Sequence, residues 1–457
     1  MMKRTLIKNA LAIVTCDGGN RVLRNADLLI EDNRIAKVAA GLDEPGAELL
    51  DATGKIVYPG LVNTHHHLLQ AFSRNIPCIQ NSELFDWLLY LYEVWRRVDP
   101  EYMYYSSMVG MGEFIKFGGT TLFDQHFAFP RGASREIIDR QFEAAAQLGL
   151  RFHAGRSSFT RGKKSGGLPP DELVETCGET LRDCERLIDT YHDASEFSMR
   201  QVAVSPCSPF SVDTEVMVES AKLARAKKVR LHTHLCETVD EENYCLEVYG
   251  KRPLDWAEEC GWLGDDVWYA HGIHFTDEEV GRLAATKTGV AHCPVSNMKL
   301  SSGICKVPLM LKLGVPVGLA VDGNGSNDAS NLLADLRTAF LLHRLNSSRQ
   351  APDGYEFLKM ATVGSARLLG RSDIGSLEVG KAADLFMINA DSLDFVGGLL
   401  DPAAFLATVG YGRPVDMTMI NGKIVYKEGR LQGIDEDIIK EGAQKKVADV
   451  YKNLPTG

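Results

Sequence analysis

One feature limits the possible folds of this chain more than any other: a strand-then-helix rhythm in which nearly every strand-like run leads into a polar residue. Eight short apolar runs recur at residues 56–63, 120–124, 151–154, 201–205, 229–232, 267–270, 289–291 and 315–321. Stretches able to form helices separate them, for example residues 214–227 and 277–285. Such alternation points to parallel strands joined by crossover helices, and eight units favour a closed (β/α)8 TIM barrel over an open sheet. After the runs come, in order, His65 and His67, His126, Arg156 and Ser157, Cys207, His234 and Glu237, His271, Asn297, and Asp322. A barrel carries the C-terminal ends of all its strands to one mouth, so residues far apart in sequence would meet there.

The two ends of the chain follow a different pattern. Residues 6–14, 26–31, 34–39 and 55–58 read as short strands between turns, as do 383–389 and 415–426, where Asn421-Gly422 is a strong hairpin signal. The expected architecture is therefore α/β, with a small β-sandwich domain formed by both ends. Residues 1–57 form its N-terminal part, 58–370 the barrel, and 371–457 its C-terminal part with a terminal helix. The formal charge of -11 argues against a nucleic-acid surface. No apolar run reaches the length of a membrane span, and the N-terminus lacks the apolar region and cleavage site of a signal peptide. The ten cysteines include no C-x-x-C pair, which fits reduced thiols in a cytoplasm.

The chemistry is concentrated at three strand ends. In Asn63-Thr64-His65-His66-His67, alternation puts His65 and His67 on one face and His66 on the other. Two imidazoles on one face make half a metal site, and His234 and Asp322 would complete it while leaving room for water. His232 shares parity with His234, but a site already served by three imidazoles does not need it, and it is read equally as structural, in the core or behind a ligand, or as substrate-facing. Three neutral imidazoles and one carboxylate leave a zinc-like ion with net positive charge, able to lower the pKa of water from about 15.7 toward about 7. His271 and Asp322 could orient or deprotonate that water, and Glu237 could deliver its proton to a ring nitrogen and then to the leaving amine.

These segments resemble a known family. Pro59 through His67, the His234-x-x-Glu237 step, Ala270-His271, His292-Cys293-Pro294-x-Ser296-Asn297-Met298, Val321-Asp322-Gly323 and Gly380 through Leu385 are similar to the amidohydrolase superfamily, in its branch of aromatic deaminases and triazine hydrolases. The resemblance implies metal ligands His65, His67, His234 and Asp322, acid-base residues Glu237 and His271, and a homo-oligomer of two or more chains. Binuclear relatives carry a bridging Lys or Glu on the fourth strand, where this chain has Cys207, so one divalent ion is expected, zinc or iron. Retention of Glu237 favours deamination over dechlorination.

Within the branch, residues 63–70, 156–158, 166–171 and 206–211 resemble 8-oxoguanine deaminases, making 8-oxoguanine the first expectation for a small heterocyclic substrate, with urate and ammonia as products. Hydroxyatrazine or a chloro-triazine, isocytosine and pterins are the alternatives. Gln70, Trp87, His126, Arg156 and Cys207 are the expected substrate contacts. The amide of Gln70 could match a lactam edge or simply cap backbone, and Trp87 with Tyr90 could stack on a ring or pack a helix. Leu68 and Leu69, and Asn324-Gly325, depart from the subgroup at positions expected to border the pocket.

Overall fold

A computed structural model of the protein describes residues 2–454. Leu61–Asn63, Gly119–His126, Arg151–Arg156, Arg200–Val204, Leu231–Leu235, Val267–His271, Gly289–His292 and Val317–Leu319 hydrogen-bond in that order as one eight-stranded parallel sheet. Apart from Arg200 and Gln201 every residue of these strands is buried, so they lack the exposed-and-buried alternation of a half-solvated sheet. The seam between the last strand and the first is closed by local polar groups. Thr64 Oγ1 donates to the Leu319 carbonyl at 3.1 Å, and the Val321 N–H donates to Asn63 Oδ1 at 3.0 Å. His66–His67 then pairs in parallel with Asp322–Gly323. The barrel is thus drawn together at its mouth by the same segments that carry the metal-binding side chains.

The crossover helices have ordinary sequence causes. Asp213 caps Thr214–Lys227 by accepting from the Val216 N–H at 2.9 Å, and Lys228 ends that helix at φ 56°. Thr276 and Glu279 form a capping box for Asp277–Thr286.

The first barrel run, expected over residues 56–63, is two strands. Lys55–Pro59 belongs to the terminal domain and Leu61–Asn63 to the barrel, with Gly60 between them. A Cβ at Gly60 would overlap the Thr120 side chain, so the chain can cross between sheets there only as glycine. Lys55–Pro59 pairs antiparallel with Leu385–Asn389, which joins both chain ends into one nine-stranded sheet. Ile7, Ile13 and Leu28 from one end share an apolar core with Leu385, Met387 and Met419 from the other. Asn421 and Gly422, at φ 50° and 76°, make the two-residue turn between Met417–Ile420 and Lys423–Lys427. A fully buried pair, Arg151 with Asp384, ties the terminal sheet to the barrel. The final helix, Glu436–Tyr451, packs back on the barrel helix Pro100–Lys116, where Lys446 meets Asp99 at 2.6 Å. No described helix is long and apolar enough to cross a membrane.

Candidate active site

His65, His67, His234 and Asp322 converge at the barrel mouth, with one ligand atom of each lying within 4.8 Å of the others. All four are buried. Strand alternation puts His65 and His67 inside, while His66 turns away to a hydrogen bond with Ser330 Oγ at 2.9 Å. The outer nitrogens of the inward rings have assigned partners. His67 Nδ1 donates to the Gln125 carbonyl at 2.8 Å, and His234 Nδ1 to the Cys207 carbonyl at 2.7 Å. His65 Nδ1 meets His232 Nε2 at 2.8 Å, and His232 Nδ1 donates to the Trp268 carbonyl at 2.9 Å. That chain of donors settles His232 as a supporting histidine behind His65. Every inner Nε2 is left with its lone pair pointing inward.

Asp322 completes the set. Its Oδ2 accepts from Ser296 Oγ at 2.6 Å and Ser326 Oγ at 2.9 Å. Its Oδ1 lies 3.2 Å from both His65 Nε2 and His67 Nε2. His65 Nε2 and Asp322 Oδ1 have no hydrogen-bond partner although they are buried. Lone pairs crowded into one dry spot repel one another unless a cation sits among them, so the donor set fits a divalent metal. Asp322 and His271 both adopt left-handed backbone, φ 63° and 69°, a strained conformation for residues with a Cβ and one that clusters at functional sites.

Glu237 and His271 face each other beside this cradle, with Glu237 Oε2 3.6 Å from His271 Nε2. His271 Nδ1 donates to Asn297 Oδ1 at 2.8 Å, which turns its Nε2 toward the site. Burial, reinforced by the charge of Asp322, pushes the Glu237 carboxyl well above the usual range and favours its protonated form. A residue that sequence reading missed holds Glu237 in place. The buried Glu241 carboxylate accepts from the Cys236 N–H at 2.7 Å and the Glu237 N–H at 3.1 Å. Its signal was masked because an acid in the first turn of a helix, here Val239–Tyr249, is commonplace.

A cavity opens onto these groups. Its apolar wall comes largely from the helix Leu84–Trp95, whose buried stripe supplies Leu84, Trp87, Leu88, Tyr92 and Trp95. Of the expected contacts, Gln70, Trp87 and Cys207 line the cavity. Gln70 Oε1 already accepts from the Gly325 N–H at 3.1 Å. A Cβ at Gly323 would overlap that carboxamide. Burial raises the Cys207 thiol to about 12, so it is a neutral wall group.

His126 and Arg156, also expected as substrate contacts, do not line this cavity. The ring of His126 is buried, with Nε2 donating to the Ala128 carbonyl at 2.8 Å. Arg156 holds Glu175 through two bonds of 2.8 Å and Asp183 through one of 3.0 Å, and it lies over the Phe129 ring at 3.9 Å. With its guanidinium so engaged, it organises the loops behind the wall. Tyr90, Leu68 and Leu69 are likewise absent from the lining. The Leu68 side chain packs toward Gly110, and the Leu69 carbonyl accepts from Tyr102 Oη at 2.7 Å. Asn324 also lies outside the lining, hydrogen-bonded to Ser330.

Comparison with known proteins agrees with this geometry. The Amidohydrolase family pattern matches residues 56–425. The chain is 43% identical to 8-oxoguanine deaminase from Pseudomonas aeruginosa, covering 95% of this chain and 96% of that one. It is 42% identical to hydroxydechloroatrazine ethylaminohydrolase from Pseudomonas sp. (strain ADP), over 95% and 93%. The crystal structure of atrazine chlorohydrolase from Arthrobacter aurescens TC1 complexed with zinc superposes with a TM-score of 0.93 at 34% identity, covering 97% of this chain and 100% of that one. With three histidines and an aspartate gathered at the mouth of such a barrel, and a family match across most of its length, this chain belongs to the amidohydrolase family of hydrolases.

Proposed function

We propose that this protein is a metal-dependent aminohydrolase that removes an exocyclic amine from a small planar nitrogen heterocycle, with 8-oxoguanine as the first candidate. The observation that carries the reading is the placement of Glu237: buried, favoured in its protonated form, and 3.6 Å from His271 at the edge of the cavity. A group that must protonate a ring nitrogen and then a departing amine needs a proton to give at neutral pH, which an ordinary carboxyl lacks.

His65, His67, His234 and Asp322 are the residues that would hold one divalent ion, zinc in the first place and iron in the second. When bound, such an ion supplies acidified water at neutral pH. The protein's own residues do the rest. Trp87, Tyr92 and Trp95 confine a flat ring and keep bulk water out. Gln70 has N–H groups to offer a ring carbonyl. Glu237 Oε2 carries the proton outward to the leaving nitrogen, and His271 Nε2, turned inward by Asn297, accepts a proton from water. Release of ammonia from 8-oxoguanine yields urate.

The aromatic wall also supports a second reading, in which the leaving group is an alkylamine on a hydroxylated s-triazine, since an alkyl group would bury well there. A purified-protein panel of 8-oxoguanine, hydroxyatrazine, isocytosine, isoxanthopterin and a chloro-triazine, read by ammonia, ethylamine and chloride release, decides between them. Ammonia from 8-oxoguanine with the highest kcat/KM supports the first reading, and ethylamine from hydroxyatrazine the second. Ring opening, or chloride as the main product from a chloro-triazine, would overturn both.

A further inference from the structure

At the opposite end of the barrel lies a second cavity, with no part in the chemistry above. It opens among the N-terminal ends of the third to sixth barrel strands, lined by His153, His192, Gln201, Lys228, Arg230 and Trp268 among others. No Asp or Glu belongs to its lining, in a chain whose net charge is -11.

Its histidines are arranged in the opposite sense to those of the mouth. Arg371 Nη1 donates to His153 Nε2 at 3.2 Å, so the His153 proton sits on Nδ1. The Val202 N–H donates to His192 Nδ1 at 3.1 Å, so the His192 proton sits on Nε2. Both rings therefore have an N–H left to give. Arg230 donates through Nη2 to the Asp265 carbonyl at 2.6 Å, while its buried Nε has no partner. Its guanidinium lies 5.8 Å from the Trp268 ring, and Lys228 adds an exposed ammonium. Behind the wall stand Arg371 and Arg151, each paired with an acid of its own, Asp373 and Asp384. Of the two acids near Arg230, Asp265 and Asp266, the second is held by Arg225 at 3.0 Å.

From this set of donors without acidic acceptors we infer that the barrel floor is a binding site for a small oxyanion of the phosphate type, free or carried on a metabolite. Hydrogen-bond donors from one strand and the loops beside it, one guanidinium edge in want of an acceptor, and an exposed ammonium are what recognition of such a group uses.

The test titrates inorganic phosphate into metal-loaded protein at constant ionic strength, following heat and thermal midpoint in wild type, Lys228→Met and Arg230→Met. The expected result is saturable binding with a raised midpoint in wild type, and binding at least tenfold weaker in Arg230→Met at unchanged metal content. A smaller loss is expected in Lys228→Met, whose side chain is exposed and which keeps the test open if Arg230→Met does not fold. Phosphate held at the mouth would be indifferent to both substitutions, and that result would overturn the inference. So would the absence of any heat and midpoint shift in wild type. A parallel titration with AMP separates the two sources: tighter binding than phosphate indicates a carried group, weaker binding a free one.

Discussion

The two ends of the barrel use the same side chain to opposite effect. At the mouth, His65, His67 and His234 spend their protons outward, on His232 and on the carbonyls of Gln125 and Cys207, so their lone pairs gather inward around a cation. At the floor, His153 and His192 have their lone pairs occupied by the Arg371 guanidinium and the Val202 N–H, so their protons remain to be given. Imidazole has one donor and one acceptor when neutral, and burial keeps His153 and His192 neutral by lowering their pKa. The partner behind the ring thus decides which sign of charge the ring can recruit. A histidine's role is read from its far nitrogen as much as from the near one.

The mouth offers the strongest way to test this contrast. Glu237→Gln keeps the shape but removes the movable proton, and a loss of roughly 10²–10⁴-fold in kcat is expected with metal content unchanged. Turnover at the wild-type rate would remove Glu237 from the mechanism. Next in size is His232→Ala, which deprives His65 Nδ1 of its acceptor. Metal affinity should fall by about 10–100-fold in a chelator competition, while a variant that binds metal as tightly as wild type would show that the chain of donors behind His65 is incidental.

A milder substitution separates wall from cradle. Trp87→Leu removes one aromatic face of the cavity without touching a ligand, so KM should rise roughly tenfold with kcat and metal content nearly constant. A drop in kcat alone would mean that Trp87 acts on the acid-base pair. The smallest effect is expected at the floor. Burial works to raise the Asp373 pKa, but the hydrogen bonds and charge of Arg371 outweigh it and hold the carboxyl at about 2. Against an unfolded value near 3.9, this depressed carboxyl contributes stability above about pH 4 that is lost as pH falls toward 2. Asp373→Asn should therefore cost about 1–2 kcal/mol at pH 7, and the difference in thermal midpoint should shrink on acidification through that window. A gap that stays constant down to pH 2 would rule out the Arg371 pairing as its cause.

Much of the fold was open to inspection in the residues. Buried parallel strands are continuous apolar runs, and all eight barrel strands fall on or beside the runs read for them. The exception is instructive: residues 56–63 make one apolar run and two strands, because hydrophobicity does not record the change of sheet at Gly60, which only the close approach of Thr120 demands. The cradle was legible because its rule is local. His65 and His67 share a face through the two-residue period of a strand, and His234 and Asp322 reach them because barrel strands end at one mouth. His126 and Arg156 stand at strand ends by the same rule, yet the cavity excludes them. Arg156 is claimed by Glu175 and Asp183, one of which lies in a loop and the other in the helix Cys177–Tyr191.

The residues alone therefore establish the barrel, its domain built from both chain ends, and the convergence of three histidines and an aspartate, since periodicity and strand direction are carried by the chain itself. Long-range packing fixes which nitrogen of His65, His67, His234, His153 and His192 bears the proton, that Glu241 pins the backbone of Glu237, that the helix Leu84–Trp95 walls the cavity, and that the floor is a place of donors. Each of these depends on a partner brought from far along the chain, and a hydrogen bond between distant residues leaves no period in the sequence to be read.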